Sequence, residues 1–265
     1  MPFCFPLCHC LNDGGKPLFY LEDGYGSSCG GDAVMETIIR TEKLDKIYYQ
    51  GRPEEVWALN QIDLEIPKNR LVLIRGPSGS GKTTLLNLIS TIDRPTHGRI
   101  FLRGEDISKY SDVQLSRIRQ KTIGLIFQSY NLLPRLPAWE NVAFPLLPLG
   151  VMERDRRGRS VEMLIQLKLE KRVDHPPEQM SGGEQQRVAI ARALINDPEI
   201  VIADEPTSNI DAESIKILLD ILTDLKSKGK TIIVSSHDPV FLDYSETIFF
   251  LKDGRIVNIE HRESK

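Results

Sequence analysis

The chain has 265 residues, 40% of them apolar and 27% charged, an ordinary globular balance with room for one large domain or two small ones and a sizeable core. Its 37 acidic and 34 basic residues leave a net charge of −3, so bulk electrostatics give no case for a nucleic-acid partner. No stretch approaches the roughly 18 consecutive apolar residues of a membrane span; the longest candidate, residues 142–152, is broken by Pro145 and Pro148, so any membrane the protein serves must be crossed by another chain.

All four cysteines, Cys4, Cys8, Cys10 and Cys29, lie in the first 29 residues. With His9 they supply enough soft ligands for zinc, but their spacing matches no common finger, ribbon or knuckle. The segment also lacks the positive n-region and apolar h-region of a signal peptide. Residues 1–34 are glycine-rich and aperiodic, and are expected to be a disordered or non-native leader. Gly30-Gly31-Asp32 can be encoded as GGAGGUGA, a ribosome-binding sequence just before Met35, which makes Met35 the expected start and 35–265 the expected domain.

From there the pattern predicts antiparallel strands over 36–42 and 61–66, joined by a polar turn at Gly51-Arg52-Pro53. Short buried strands are predicted over 70–75, 123–127, 200–203 and 231–235, with helical patterns between or after them, as in an α/β sheet with parallel strands covered on both faces. Residues 129–180 offer no comparable strand and read as a helical insertion with helices near 138–146 and 153–168. A hairpin of 247–251 and 255–259 about Asp253-Gly254 closes the chain.

The predicted strand 70–75 runs into Gly76-Pro77-Ser78-Gly79-Ser80-Gly81-Lys82-Thr83, with Thr84 next and a helix from about Lys82. This is the P-loop pattern in its required setting: glycines free backbone N–H groups to wrap phosphates, Lys82 reaches the terminal phosphate oxygens, and the Thr83 hydroxyl can ligate Mg²⁺. The predicted strand 200–203 ends in Asp204 and Glu205. Carboxylates at a strand's C-terminal end reach ligands at the sheet edge, so Asp204 suits the Mg²⁺ shell and Glu205 the general base that activates water. His237 follows the predicted strand 231–235 toward the same edge and is a candidate γ-phosphate contact. Gln128, after IGLIF, is a candidate for Mg²⁺ or the attacking water. Ser181 with Glu184 three residues later is a capping-box signature, and a glycine-rich helix start is a good anion site. No lysine accompanies Ser181, Gly182 and Gly183, which leaves open whose phosphate they would hold.

In this order the P-loop, Gln128, MSGGEQQ, Asp204-Glu205, Ser208-Asn209-Ile210-Asp211 and His237 resemble the ATP-binding subunits of ABC transporters, over about residues 35–260. The resemblance implies a P-loop NTPase core of ABC ATPase type with an antiparallel β subdomain and a helical insertion subdomain of about 129–195. It also implies an ATP hydrolase that uses Mg²⁺ and works as a dimer, taken here as a homodimer. Ser181, Gly182 and Gly183 then look like half of a composite site that caps ATP held by the other subunit's P-loop, which answers the missing lysine. Tyr48 matches the family's adenine-stacking aromatic, with Tyr49 as its rival. Met180 and Ile210 stand where the family more often has leucine, swaps of similar size and polarity.

The stretches GPSGSGKTTLLNLISTIDRPTHG and FQSYNLLPRLPAWENVAFPLL are most similar to the lipoprotein-releasing and macrolide-exporting branch. That likeness implies a permease on separate chains, docking near Gln128 and Leu132, Leu133, Pro134, Arg135 and Leu136, and a peripheral location on the cytoplasmic face of the inner membrane. The basic run Arg154, Arg156, Arg157 and Arg159 reads as a solvated helix face. A cell-division-type signalling ATPase resembles the same branch. A DNA-repair ATPase would need a long coiled coil, and the roughly 52 residues between Gln128 and Ser181 show no sustained heptads.

Overall fold

A computed structural model of the chain describes residues 36–262, Asn209 excepted. The cysteine-rich segment weighed as a metal site, the boundary at Met35 and Asn209 of the Ser208–Asp211 motif lie outside the described residues.

The chain opens with β1 (Thr37–Tyr48) and β2 (Val56–Pro67), an antiparallel pair longer than the sequence pattern predicts. Four register shifts interrupt the pairing and absorb the polar middle of β1, with Lys43 and Gln61 left-handed at φ 44° and 54°. Period-two reading loses the strand at those shifts, which is why the prediction stopped at 42 and resumed at 61. Next come β3 (Leu71–Arg75), α1 (Lys82–Ile89), β4 (His97–Leu102), β5 (Glu105–Asp106), α2 (Asp112–Lys121) and β6 (Ile123–Ile126). The stretch β4, β5 and α2 was not predicted, although the Ser111/Gln114 capping box that opens α2 was legible in the sequence.

The insertion holds α3 (Ala138–Ala143), a 3₁₀ turn over Phe144–Leu149 and α4 (Glu153–Gln166). Pro145 and Pro148 remove the N–H groups that would continue α3, so the chain tightens into 3₁₀ geometry. Finally α5 (Gly182–Leu194), β7 (Ile200–Asp204), α6 (Ala212–Ser227), β8 (Thr231–Ser235), β9 (Thr247–Lys252) and β10 (Arg255–His261) complete the chain.

The antiparallel sheet has the order β2-β1-β4-β5, and the larger sheet the order β10-β9-β3-β8-β7-β6, parallel from β9 through β6. Strand alternation divides the large sheet's side chains between two cores. Leu71 and Leu73 of β3 face the core shared with α3 to α6, whereas Val72 and Ile74 face the core shared with α1, α2 and the antiparallel sheet. Both faces are therefore covered, and the sheet's own backbone is open to ligands at the strand ends, where β3, β7 and β8 terminate in neighbouring register. No helix among the described residues is long and apolar enough to cross a membrane.

Candidate functional site

The loop between β3 and α1 is shaped by how closely it approaches its neighbours. A Cβ on Gly76 would stand 2.1 Å from the Leu251 carbonyl oxygen, and Gly81, at φ 102°, would bring one to 2.5 Å from the Ala58 carbonyl oxygen. Pro77, Ser78 and Gly79 form the exposed crest, with Gly79 at φ 77° in open space, while Ser80 is buried beneath it. Lys82 opens α1 and curls back over the loop, donating to the carbonyls of Gly76 at 2.9 Å and Pro77 at 3.1 Å. Thr83 is exposed and Thr84 half-buried on the first turn of that helix.

Opposite this loop stand the ends of β7 and β8. The Thr83 hydroxyl donates to Asp204 Oδ2 at 2.8 Å, and the Ser235 hydroxyl donates to the other carboxylate oxygen. The Glu205 backbone is left-handed, at φ 42°, a conformation costing roughly 1–3 kcal/mol for a residue with a side chain. It directs Glu205 Oε1 to 3.5 Å from Lys82 Nζ, and Oε2 to 3.0 Å from His237 Nδ1 and 3.3 Å from the Ser236 hydroxyl, which donates to it. The Glu205 side chain is 12% exposed and the His237 side chain 75% exposed. Ser235 and Ser236 were missed in the sequence; their signal was a pair of hydroxyls at the end of an otherwise apolar strand, directly before the singled-out histidine.

Gln128 is exposed and shares with Thr83 and Asp204 a groove of about 310 Å³. Two hydroxyl or amide groups and a carboxylate are hard oxygen donors suited to Mg²⁺, which takes few protein ligands and completes its shell with phosphates and water. Among the described residues there is no cluster of three His, Cys, Asp or Glu that would hold a metal by itself.

Ser181 caps α5 as its spacing requires: its hydroxyl accepts from the Glu184 N–H at 3.3 Å, and its own N–H donates to Glu184 Oε2 at 2.8 Å. Burial pushes the Glu184 carboxyl up, but the Arg172 guanidinium at 2.7 Å and the Ser181 N–H outweigh it and hold the group below the usual carboxylate range. Gly182 is half-buried and Gly183 buried.

Tyr48 is half-buried at the end of β1, with its hydroxyl donating to Asp93 Oδ2 at 3.4 Å and Lys46 Nζ 5.0 Å from its ring centre; Tyr49 is 61% exposed with φ 55°. Within residues 132–136, Pro134 and Arg135 are exposed and the three leucines are half-buried. Leu132 packs against the core, and the Asn141 side chain ties the segment down through Leu133 N–H and the carbonyls of Leu133 and Leu136. The exposed large apolar side chains of the insertion include Phe144, Leu147, Leu149, Met152 and Ile165.

A strand, a glycine loop, a lysine at the helix start, and two consecutive carboxylates at the end of another strand of the same sheet define a P-loop nucleotide-binding protein. Comparison with known proteins narrows the class. The ABC transporter family profile matches residues 59–208. An ABC transporter ATP-binding protein of Thermotoga maritima, itself uncharacterized, is 43% identical over 228 residues, covering 86% of this chain and 97% of that one. The macrolide export ATP-binding/permease protein MacB of Hyphomonas neptunium is 43% identical over 211 residues, 80% of this chain but only 33% of that longer protein. Among solved structures, a dimeric ATP-binding cassette in a post-hydrolysis state with ADP and Pi superposes with a TM-score of 0.80 at 40% identity, covering 85% of this chain and 100% of that one. The chain belongs to the ABC transporter ATP-binding family, and it is an ATP-binding, ATP-hydrolysing subunit of that type.

Proposed function

We propose that the chain is the motor of a membrane complex: it pairs with a second copy on binding ATP, hydrolyses the nucleotide at the end of β7, and drives a permease on separate chains, in export of the macrolide or lipoprotein type. The observation that carries the hydrolytic part is Glu205, placed by a left-handed backbone between Lys82, Ser236 and His237 and one residue from the Asp204–Thr83 pair. Lys82 and the loop of Gly76, Pro77, Ser78, Gly79, Ser80 and Gly81 hold the phosphates, with Thr84 beside them, and Tyr48 takes the base. Thr83, Asp204 and Gln128 would hold Mg²⁺, which when bound neutralises phosphate charge. Glu205 takes a proton from the attacking water, and His237, 3.0 Å away, orients that carboxylate and reaches toward the terminal phosphate.

Ser181, Gly182 and Gly183 complete the partner's site; the dimeric arrangement of a cassette 40% identical to this chain supports that reading. An export role draws support from MacB, whose name joins an ATP-binding part to a permease. The half-exposed side chains of Phe144 and Leu147 with the exposed Met152, together with the groove that Gln128 lines, offer the permease its docking surface and hold the subunit peripherally at the cytoplasmic face of the inner membrane.

Exchange of Glu205 for Gln keeps shape and hydrogen bonding but removes the base. ATP turnover should fall by roughly 10² or more with ATP still bound, and the variant should accumulate as an ATP-bound dimer on size exclusion with light scattering. Turnover like that of the parent chain would remove Glu205 from this role.

A further inference from the structure

Gly183 is the second residue of α5, and the side chain that closes over it comes from another helix. A Cβ on Gly183 would stand 2.0 Å from Ser214 Oγ and 2.9 Å from Ser214 Cβ, so the serine occupies the volume that any other residue at 183 would need. The Gly183 backbone lies within the helix and outside the left-handed region, so conformation does not call for glycine there. Close approach does.

Ser214 is the third residue of α6, and it is itself held from behind. Its backbone N–H donates to Asp211 Oδ1 at 2.9 Å and its hydroxyl donates to Asp211 Oδ2 at 3.0 Å, so the cap of α6 engages this one residue with both carboxylate oxygens. With the hydroxyl proton committed to Asp211, the oxygen lone pairs are left for the Gly183 side, where a Cα–H can serve as a weak donor. A single hydroxyl therefore joins the helix start that carries Ser181 to the end of the segment Ser208–Asp211, two pieces of chain about thirty residues apart in sequence. Ile210 packs against the core beside them, so the joint rests on a fixed base.

We propose that Ser214 is a positioning residue for the composite nucleotide site: it locks the start of α5 to the cap of α6, so that both reach a partner's nucleotide in one fixed relation. The inference rests on the dimer reading above. In a monomer the joint does nothing for the nucleotide held by the chain's own loop at Gly76 to Lys82. Its effect therefore belongs to the dimerisation step and not to nucleotide binding by a single chain.

Ser214→Ala removes the oxygen while leaving the backbone N–H that Asp211 caps, so α6 keeps its start. The variant should be built into the full chain carrying Glu205→Gln, and two quantities measured: the ATP-driven monomer–dimer constant by sedimentation, and ADP affinity of the monomer by calorimetry. We expect dimerisation weakened about tenfold, the equivalent of about 1.4 kcal/mol, with ADP affinity and melting temperature unchanged. A dimer constant equal to that of the Glu205→Gln parent would overturn the proposal, as would an equal loss in ADP affinity, which would mark Ser214 as merely structural. Failure of the parent itself to dimerise with ATP would instead overturn the dimer reading, and the present inference with it.

Discussion

Glu205 shows how one residue's backbone sets the geometry of the proposed catalytic carboxylate. Its N–H still donates to the Ser235 carbonyl at 2.9 Å, so β7 and β8 hold together up to the residue where the chain turns left-handed. The carboxylate then faces back over Lys82, where a residue in extended conformation would send it along the strand. Glycines at the opposite lip are graded in the same way. At Gly76 a methyl would meet the Leu251 carbonyl at 2.1 Å, a backbone atom that cannot rotate aside, whereas at Gly79 it would meet nothing and only the φ of 77° opposes it. Gly76→Ala should therefore lower ADP affinity by more than about tenfold and destabilise by roughly 2–3 kcal/mol. Gly79→Ala should cost only about 1 kcal/mol. Calorimetric titration with ADP and melting curves of both variants check the order; equal effects would refute it.

Among elements, the joint between β3, β9 and α6 turns on a single buried carboxylate. Glu246, 4% exposed, accepts from the Leu71 N–H at 3.0 Å and from Lys226 at 3.0 Å, and pairs with Arg70. Burial alone would raise its pKa, but the Leu71 N–H, Arg70 and Lys226 together hold it below the usual range. A carboxyl with a depressed folded pKa adds stability that is complete above its unfolded value, near 4.3, and is lost as pH falls through the folded one. Glu246→Gln should therefore lose about 2–4 kcal/mol at pH 7 by urea denaturation, and the gap to the parent chain should narrow only below about pH 4. A gap that stays constant down to about pH 3 would show that charge is not the cause.

A second joint ties α5 to the turn after Gln128. The Arg192 guanidinium donates to the carbonyls of Tyr130, at 2.6 Å, and Asn131, at 2.5 Å, two residues that are both left-handed at φ 58° and 49°. Desolvation lowers the Arg192 pKa, yet the guanidinium stays charged at any ordinary pH. Lysine has no planar fork to reach both carbonyls, so Arg192→Lys should loosen the turn and speed hydrogen exchange in residues 128–133 without unfolding the sheet. Unchanged protection there would mean that the turn holds without the fork.

At the scale of the whole molecule, the proposed docking surface rests on exposed apolar side chains of the insertion. Phe144, 49% exposed, and Leu147, 46% exposed, stand on a 3₁₀ turn whose prolines fix its shape before any partner arrives. Replacing both with Ser should leave the purified subunit's ATP turnover within about twofold, as for surface changes away from a site, while abolishing co-purification with a polytopic membrane protein from native membranes. Retained co-purification would move the docking surface elsewhere.

The P-loop, the capping box of Ser181 and the strand that ends in Asp204 and Glu205 were legible in the sequence because each is a local device: a few consecutive residues fix the backbone that makes it. The short continuous apolar runs of the parallel strands were legible for the same reason, and with them the α/β class. Tertiary structure alone decided which of these devices meet. Thr83 and Asp204 are 121 residues apart and touch only because β3, β8 and β7 lie side by side in register. The same holds for Ser235 and Ser236 behind the two carboxylates, for Ser214 over Gly183, and for the Asn141 side chain that ties down Leu133 and Leu136. Sequence carries the chemistry of each group and the local turn that aims it, whereas contact between distant groups depends on how whole elements pack, a quantity that no window of neighbouring residues contains.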